Sequence, residues 1–315
     1  MSTEPKTRDP VVCAVVACFN PGPELLDLVR DLTPQVHEVV LVDDGSTTGT
    51  DALAGGERLG AVVHHQANAG IAGALNAGVA LARERSAALV LTLDQDSRPA
   101  ADYVERAVAT WRRAAAAGVP LAFVAAESYG SRPAPTDGSV DGFARAFDPM
   151  QSGWLVPLTT FDAVGLLETD LVIDAVDSEF TARCRAAGLW PLVGEGCALE
   201  HSQGERTPAV ILGRTLRRGG RPLAYNRHAP VRVYYLTRNG TLLTRRHLRG
   251  QPRWVARRLL EESTAHLLRL LFSPDRALLA RAVLAGWRDG FAGRTGRVAP
   301  ALERRLRGGR PDGPA

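Results

Sequence analysis

Along the 315-residue chain the apolar positions alternate between short unbroken runs and stretches of helical spacing. Val11 to Phe19, Glu38 to Val42, Ala61 to His65, Leu89 to Leu93 and Leu121 to Ala126 are runs rich in Val, Leu and Ala, the pattern of strands buried on both faces. Between them, Glu24 to Leu32 puts Leu25, Leu28, Val29 and Leu32 on one helical face. Gly70 to Arg85 does the same with Ile71, Leu75, Val79 and Ala82, and Asp102 to Ala117 is a third helix. Strand and helix follow one another at the spacing of βα units, which predicts an α/β fold with a mostly parallel sheet flanked by helices.

The second half is less regular. Ser128 to Pro149 is rich in Gly, Pro, Ser and Asp and reads as a loop long enough to be a functional lid. Apolar character resumes at Met150 to Pro157. Thr160 to Leu167 is a short helix, and Asp177 to Gly188 a longer one with Phe180, Cys184 and Ala187 inward and Gly188 as its stop. Trp190 to His201 is strand-like and ends in Glu200-His201-Ser202. Two helices follow, Arg253 to Phe272 and Pro274 to Phe291. In the second, Leu279, Val283, Trp287 and Phe291 recur every four residues, opposite Arg281 and Arg288. That stripe is expected to dock on the rest of the chain, with a lipid surface as the alternative. The tail from Arg304 has a disordered composition, and the chain shows no internal repeats.

Composition changes this picture little, because a 45% hydrophobic content is ordinary globular usage. Charge changes it more. From Arg206 to Arg258 there are fourteen Arg and no Asp or Glu, so this segment carries +14 within a chain of net +4, and the remainder carries −10. Such a segment suits a phosphate-rich or membrane-surface partner. The four cysteines, Cys13, Cys18, Cys184 and Cys197, form no C-x-x-C pair and read as reduced packing residues of a cytosolic protein. Met1 to Asp9 is polar and gives no secretory signal, and no stretch reaches the roughly 20 apolar residues of a membrane span.

The chemistry gathers at strand ends. Leu89 to Leu93 runs into Asp94-Gln95-Asp96, two carboxylates one residue apart, at the rim where open α/β sheets bind ligands. Such a pair holds a hard divalent cation or forms a solvated turn. Asp43 and Asp44 end the second strand. Between the two pairs, Asn68-Ala69-Gly70 opens a helix whose backbone N–H groups suit a phosphate, so together they suggest a nucleotide site. Asp177 begins a helix, as an N-cap, a general base, or both. His201 is a surface residue or a third metal ligand.

In order, Ala17-Cys18-Phe19-Asn20-Pro21, Val42-Asp43-Asp44-Gly45-Ser46, Asn68 to Gly78 and Leu93-Asp94-Gln95-Asp96-Ser97 resemble family 2 glycosyltransferases of the GT-A (Rossmann-like) fold, and within them bacterial rhamnosyltransferases. Ser152-Gly153, Ile173 to Phe180, Glu200 to Gly204, Tyr234 to Asn239 and Asp289 to Gly296 extend the resemblance over residues 11 to 297. It implies a nucleotide-sugar site at Ala17, Phe19, Asn20, Asp44, Asn68, Gly70, Asn76, Asp94 and Gln95. It implies Mg²⁺ or Mn²⁺ on Asp96 with Asp94 and His201, and Asp177 as catalytic base. Trp154, Asp174, Glu179, Arg232, Arg238 and Asn239 would be contacts to acceptor or diphosphate. Ala17 and Phe19 stand where the family more often has Thr and Tyr, which removes a side-chain hydroxyl from the donor site.

The implied activity is inverting transfer of a sugar, L-rhamnose from dTDP-L-rhamnose first, to a hydroxyl of a glycan or polyprenyl-diphosphate-linked acceptor in cell-envelope polysaccharide synthesis. UDP-galactofuranose and UDP-hexose are the alternative donors. The partners are then a nucleotide sugar, the acceptor and the cytoplasmic membrane surface, with no nucleic acid. The expected layout is a disordered start (1–10), a GT-A domain (11–205) with a nucleotide-sugar half (11–127) and an acceptor half (150–205), a basic helical region (206–297) and a disordered tail (298–315). A haloacid-dehalogenase-like phosphatase is disfavoured because the one Lys, Lys6, precedes the first strand. A nicotinamide dehydrogenase lacks its G-x-G-x-x-G after that strand. A non-catalytic sugar-nucleotide-binding protein has no need of the four acids and His201.

Overall fold

In a computed structural model of the chain, residues 9–201, 206–211 and 214–307 are described. Contacts divide it into two units, Met1–Leu167 with Phe180–His201, and Glu168–Glu179 with Ser202–Ala315. The first unit alternates β1 (Val12–Cys18), α1 (Glu24–Leu32), β2 (Glu38–Asp43), α2 (Thr50–Arg58), β3 (Val62–His65), α3 (Gly70–Glu84) and β4 (Leu89–Asp94). It continues through β5 (Ser97–Pro99), α4 (Tyr103–Ala116), β6 (Leu121–Ala125), β7 (Ser128–Tyr129), β8 (Arg132–Pro133), β9 (Thr136–Val140) and β10 (Phe143–Ala146). β11 (Trp154–Pro157), α5 (Leu158–Val164), α6 (Val176–Ala186), β12 (Trp190–Val193) and β13 (Ala198–His201) follow, the first turn of α6 grouping with the second unit.

The large sheet has nine strands in the order β3-β2-β1-β4-β11-β6-β12-β10-β9. Seven run in one direction, and only β11 and β10 are reversed. This is the α/β, mostly parallel sheet that the alternating runs predict, with a helical region after it. The central strands carry Val, Leu and Ala on both faces because helices cover both, and the main core joins β1, β2 and β4 to α1 and α4. All four cysteines are free and buried, and burial pushes the Cys13 thiol up to about 11.

Three expectations change. Residues 128–149 are not an irregular loop. β9 and β10 form a hairpin on the sheet edge, turning through Asp141 (φ 45°) and Gly142 (φ 84°), and Asp-Gly is the pair such a two-residue turn demands. Arg145 of this hairpin lies 4.4 Å over the Trp190 ring and donates to the Asp137 carbonyl at 2.7 Å. The run from Trp190 to His201 is two strands, because the chain leaves the large sheet at Gly194 and β13 joins a four-stranded sheet of order β5-β13-β7-β8. α2 has no counterpart in the sequence reading, since Gly55 and Gly56 depress its helix propensity.

The second unit contains three two-stranded ribbons between residues 206 and 226, then α7 (Pro230–His247), α8 (Pro252–Phe272), α9 (Arg276–Phe291) and α10 (Pro300–Leu306). The expected disordered tail begins too early. Val298 and Leu306 are buried with Tyr234, Leu279 and Val283, so α10 belongs to this unit's core. α9 packs on α7 through Gly286 and Gly290. A Cβ on Gly286 would stand 2.8 Å from both the Thr237 Cβ and the Tyr234 carbonyl oxygen. The α9 stripe is only half buried, with Leu279 and Val283 inside and Trp287 and Phe291 exposed. Residues 1–8, Ser202-Gln203-Gly204 and the tail from 308 lie outside the described residues.

Gly286→Ala forces backbone apart between α7 and α9 and is expected to destabilise the chain by about 1–3 kcal/mol in denaturant unfolding. Gly250→Ala, with nothing within 4 Å of the added carbon, should stay within about 0.5 kcal/mol of wild type.

Candidate active site

In the first unit β1 lies between β2 and β4, with Ala17 paired to both Val42 and Asp94. The acids that end β2 and β4 therefore flank the end of β1. Gln95 ties the two strand ends together, its Oε1 accepting from Phe19 N–H (2.8 Å) and its Nε2 donating to the Phe19 carbonyl (3.2 Å). Asn20 closes the other side. Its Oδ1 accepts from the backbone N–H groups of Thr47 (2.8 Å) and Thr48 (3.0 Å), and its own N–H donates to Ser46 Oγ (2.8 Å).

Asp43 accepts from Ser46 N–H (3.0 Å) and meets His65 Nδ1 at 2.8 Å. Burial would raise its carboxyl, but the bonds from Ser46 and His65 hold it below the usual carboxylate range. Asp44 is buried and spends both oxygens on the segment before α3. Oδ1 accepts from Ala69 N–H (2.8 Å) and Gln66 Nε2 (2.7 Å), and Oδ2 from Gly70 N–H (2.8 Å). A carboxylate has about four acceptor sites, so at most one is left for a ligand. Gly45 allows this approach, at φ 79° with the space for a Cβ only 3.0 Å from Asn68 N.

At the end of β4 the Asp94 N–H donates to Ser152 Oγ (3.1 Å), and Gln151 Nε2 holds the Asp94 carboxylate. Ser152 Oγ is also 2.7 Å from Ser97 Oγ. Asp94, Gln95 and Asp96 are half-buried. β13 runs antiparallel to β5 with His201 opposite Ser97, so the backbone brings position 201 beside the Asp94-Gln95-Asp96 turn. The side chain of His201 is outside the described part. Among the described residues no three His, Cys, Asp or Glu side chains gather as a metal site. The two carboxylates are donors that suit Mg²⁺ or Mn²⁺.

In the second unit Asp177 stands one residue inside α6 rather than at its cap, half-buried, accepting from Ser178 N–H at 2.8 Å. The segment before it is strained: Val172, Asp174 and Ala175 have φ of 69°, 61° and 63°. Each such residue costs about 1–3 kcal/mol. α7 holds the segment in place. Asn239 Nδ2 donates to the carbonyls of Leu171 (3.0 Å), Ile173 (2.9 Å) and Asp174 (2.9 Å). Arg238 Nη2 donates to Leu171 O (3.0 Å), its Nη1 to Gly296 O, and its Nε to Asn239 Oδ1 (2.8 Å).

Several expected contacts are corrected by this geometry. Arg238 and Asn239 are 1% and 0% exposed and bonded to backbone, so they position the Asp177 segment and do not reach acceptor or diphosphate. Asp174 is engaged by Arg232 in a two-pronged pair at 3.0–3.2 Å. Burial raises its carboxyl even so, against the pull of Arg232. Trp154 is 1% exposed and stacks on Phe123 at 4.2 Å, a core residue rather than an acceptor platform. Glu179 is buried too. Asn76 exchanges both amide bonds with the Leu167 backbone, at 2.9 and 3.0 Å, and so fixes the loop after α5 rather than a nucleotide. Gln151 and Gln66, which orient Asp94 and Asp44, carried no sequence signal because their partners are distant in the chain.

Acid-ended parallel strands on either side of a common neighbour, with a helix start held by one of the acids, suit a nucleotide-like ligand at the sheet rim. Residues 13–155 match the model of Glycosyl transferase family 2. The chain is 27% identical over 251 residues to the dTDP-rhamnosyl transferase RfbF of Shigella flexneri, covering 75% of this chain and 80% of that one. Over these residues the chain is similar to family 2 glycosyltransferases and to a dTDP-rhamnosyl transferase. Among solved structures, TarS of S. aureus aligns with 90% of this chain and 55% of its own, at 14% identity and a TM-score of 0.46. A glucosyl-3-phosphoglycerate synthase from Mycobacterium tuberculosis, solved with Mn²⁺, uridine-diphosphate and glucosyl-3-phosphoglycerate, aligns with 38% of this chain and 44% of its own, at 21% and 0.31. The chain thus spans about half the length of these solved chains.

Asn239→Ala leaves carbonyls of the strained segment without donors and is expected to cost about 1–3 kcal/mol of stability in urea unfolding. A pH dependence follows from two histidines of the same unit. Burial, with Arg232, Arg269 and His266 adding to it, pushes His228 down to about 4; burial and Arg269 push His266 to about 4. The unfolded chain takes up these protons from about pH 6.5. Stability is therefore expected to fall as pH drops from about 6.5 to 4, to be flat in these groups above that window, and to fall less in His266→Gln.

Proposed function

We propose that this protein is a family 2 glycosyltransferase, an inverting, divalent-metal-dependent enzyme that moves L-rhamnose from dTDP-L-rhamnose to a hydroxyl of a glycan or polyprenyl-diphosphate-linked acceptor in cell-envelope polysaccharide synthesis. The observation that carries the chemistry is the pair of acidic strand ends, β2 and β4, on either side of β1 within the matched family domain. The donor reading is supported by the similarity to a dTDP-rhamnosyl transferase over three quarters of the chain.

In this reading the loop held by Asp44, from Gln66 to Gly70, and the backbone from Ala17 to Asn20 receive the nucleoside, with Asn68 and Gln95 beside it. Asp96, Asp94 and His201 would hold Mg²⁺ or Mn²⁺, which would supply positive charge to offset that of the diphosphate. Ser152 and Gln151 fix Asp94, so that its carboxylate keeps one orientation. Asp177 is the base. The acceptor oxygen bonds to the anomeric carbon, the bond from that carbon to the diphosphate breaks, and the acceptor proton passes to the Asp177 carboxylate. With one base and no carboxylate nucleophile assigned, a single displacement inverts the anomeric centre.

Transfer assays with dTDP-rhamnose, UDP-galactofuranose and UDP-glucose, each with Mg²⁺, Mn²⁺ or chelator, test the reading. Turnover is expected with dTDP-rhamnose, with product of inverted configuration, and none with chelator. Asp177→Asn should lower turnover about 10²–10⁴-fold with donor affinity retained, and Asp96→Ala should abolish metal-dependent donor binding. Undiminished turnover in Asp177→Asn would remove the base assignment, and preference for a UDP-sugar would replace the donor.

A further inference from the structure

The second unit leaves large apolar side chains in water on two of its helices. On α9, Leu284, Trp287 and Phe291 are 63%, 50% and 65% exposed, at the three- and four-residue spacing of one helical face. The buried face of the same helix, Leu279, Ala282, Val283 and Gly286, already packs in the unit. α8 repeats the arrangement with Leu260, Leu267 and Leu271 exposed. Isolated exposed Leu residues are commonplace, but a run of Leu, Trp and Phe on successive turns of a helix whose other face is satisfied marks a contact surface.

The charge around these faces selects the partner. Arg281 on α9 and Arg253 on α8 are exposed and make no ion pair among the described residues. Arg288 and Arg294 share one acid, Asp289, at 2.9 Å each, and Tyr234 donates to that same carboxylate. The one exposed acid on α8 beside its stripe, Glu261, is bonded by Arg257. Apolar faces of Leu, Trp and Phe edged by Arg are the composition of helices that lie in a lipid interface. A second copy meeting this face by two-fold symmetry would bring the same Arg-edged surface from both sides, a charge balance that does not favour association. No helix among the described residues is long and apolar enough to cross a membrane.

We propose that the exposed faces of α8 and α9 seat the second unit on an anionic lipid surface, with Leu, Trp and Phe entering the headgroup boundary and the edging Arg meeting lipid phosphate. The proposal is independent of which donor the enzyme uses. It gives a lipid-linked acceptor a reason to be met at the surface rather than extracted from it.

Cosedimentation of the full chain with vesicles tests this, comparing phosphatidylcholine alone with an equal mixture of phosphatidylcholine and phosphatidylglycerol, without donor or acceptor. Binding to the anionic vesicles is expected and should weaken with added salt. Trp287→Ser with Phe291→Ser should weaken it by about tenfold or more, and Arg281→Gln by about fivefold. Leu260→Ser with Leu267→Ser provides the same test should the first pair disturb folding, as followed by thermal unfolding. Absence of binding to anionic vesicles, or equal binding by both double variants, overturns the proposal. So does concentration-dependent self-association of the wild type that Trp287→Ser with Phe291→Ser abolishes, since a second copy then covers the face.

Discussion

The rim of the first unit depends on β1 running parallel between β2 and β4. Parallel neighbours end on the same side, so the acids at two strand ends lie on one rim, one strand apart. Each of these carboxylates has its own donors. Asp43 is held by Ser46 and His65, Asp44 by the segment before α3, and Asp94 by Gln151. Each acid is thus oriented before any ligand arrives, and little reorganisation is left for binding.

The second unit meets a different constraint, a backbone that does not relax by itself. Three non-glycine residues with positive φ lie within four positions, immediately before α6 and Asp177. The carbonyls they splay outward would be costly if left without donors. Asn239 and Arg238 supply those donors from one turn of α7. A buried Arg satisfied by carbonyls rather than by a carboxylate serves here as a scaffold with several fixed prongs.

The parallel core was legible in the sequence because burial on both faces leaves an unmistakable trace, as in Leu89 to Leu93. The acids were legible because they interrupt such runs abruptly. What was not legible has physical causes. The inward face of α7 carries Thr237, Arg238 and Asn239, so hydrophobic periodicity does not reveal it, and Arg238 and Asn239 read as ligand contacts because their backbone partners are more than sixty residues away. The β9–β10 hairpin is mostly polar and at an edge, and its one local signal, Asp141-Gly142, was submerged in a Gly-rich stretch. Asn76 resembled a motif residue because it lies on a helix that carries one, yet its partner is the Leu167 backbone.

Charge segregation along the chain proves to be largely pairing in space. The segment from Arg206 to Arg258 has no acids of its own, but Arg232 meets Asp174, Arg246 meets Glu168, Arg227 meets Asp275, and Arg257 and Arg258 meet Glu261 and Glu262. Arg238 and Arg245 donate to carbonyls instead. Half of the fourteen Arg are therefore spent inside the unit on partners drawn from before and after the segment. A run of +14 overstates the charge offered outward. What a partner meets is the residue of this accounting, including Arg253 within the segment and Arg281 beyond it, beside apolar faces. For the proposed lipid contact, local placement of these Arg against Leu, Trp and Phe, rather than the net charge of the run, would set the preference for a surface that is both apolar and anionic.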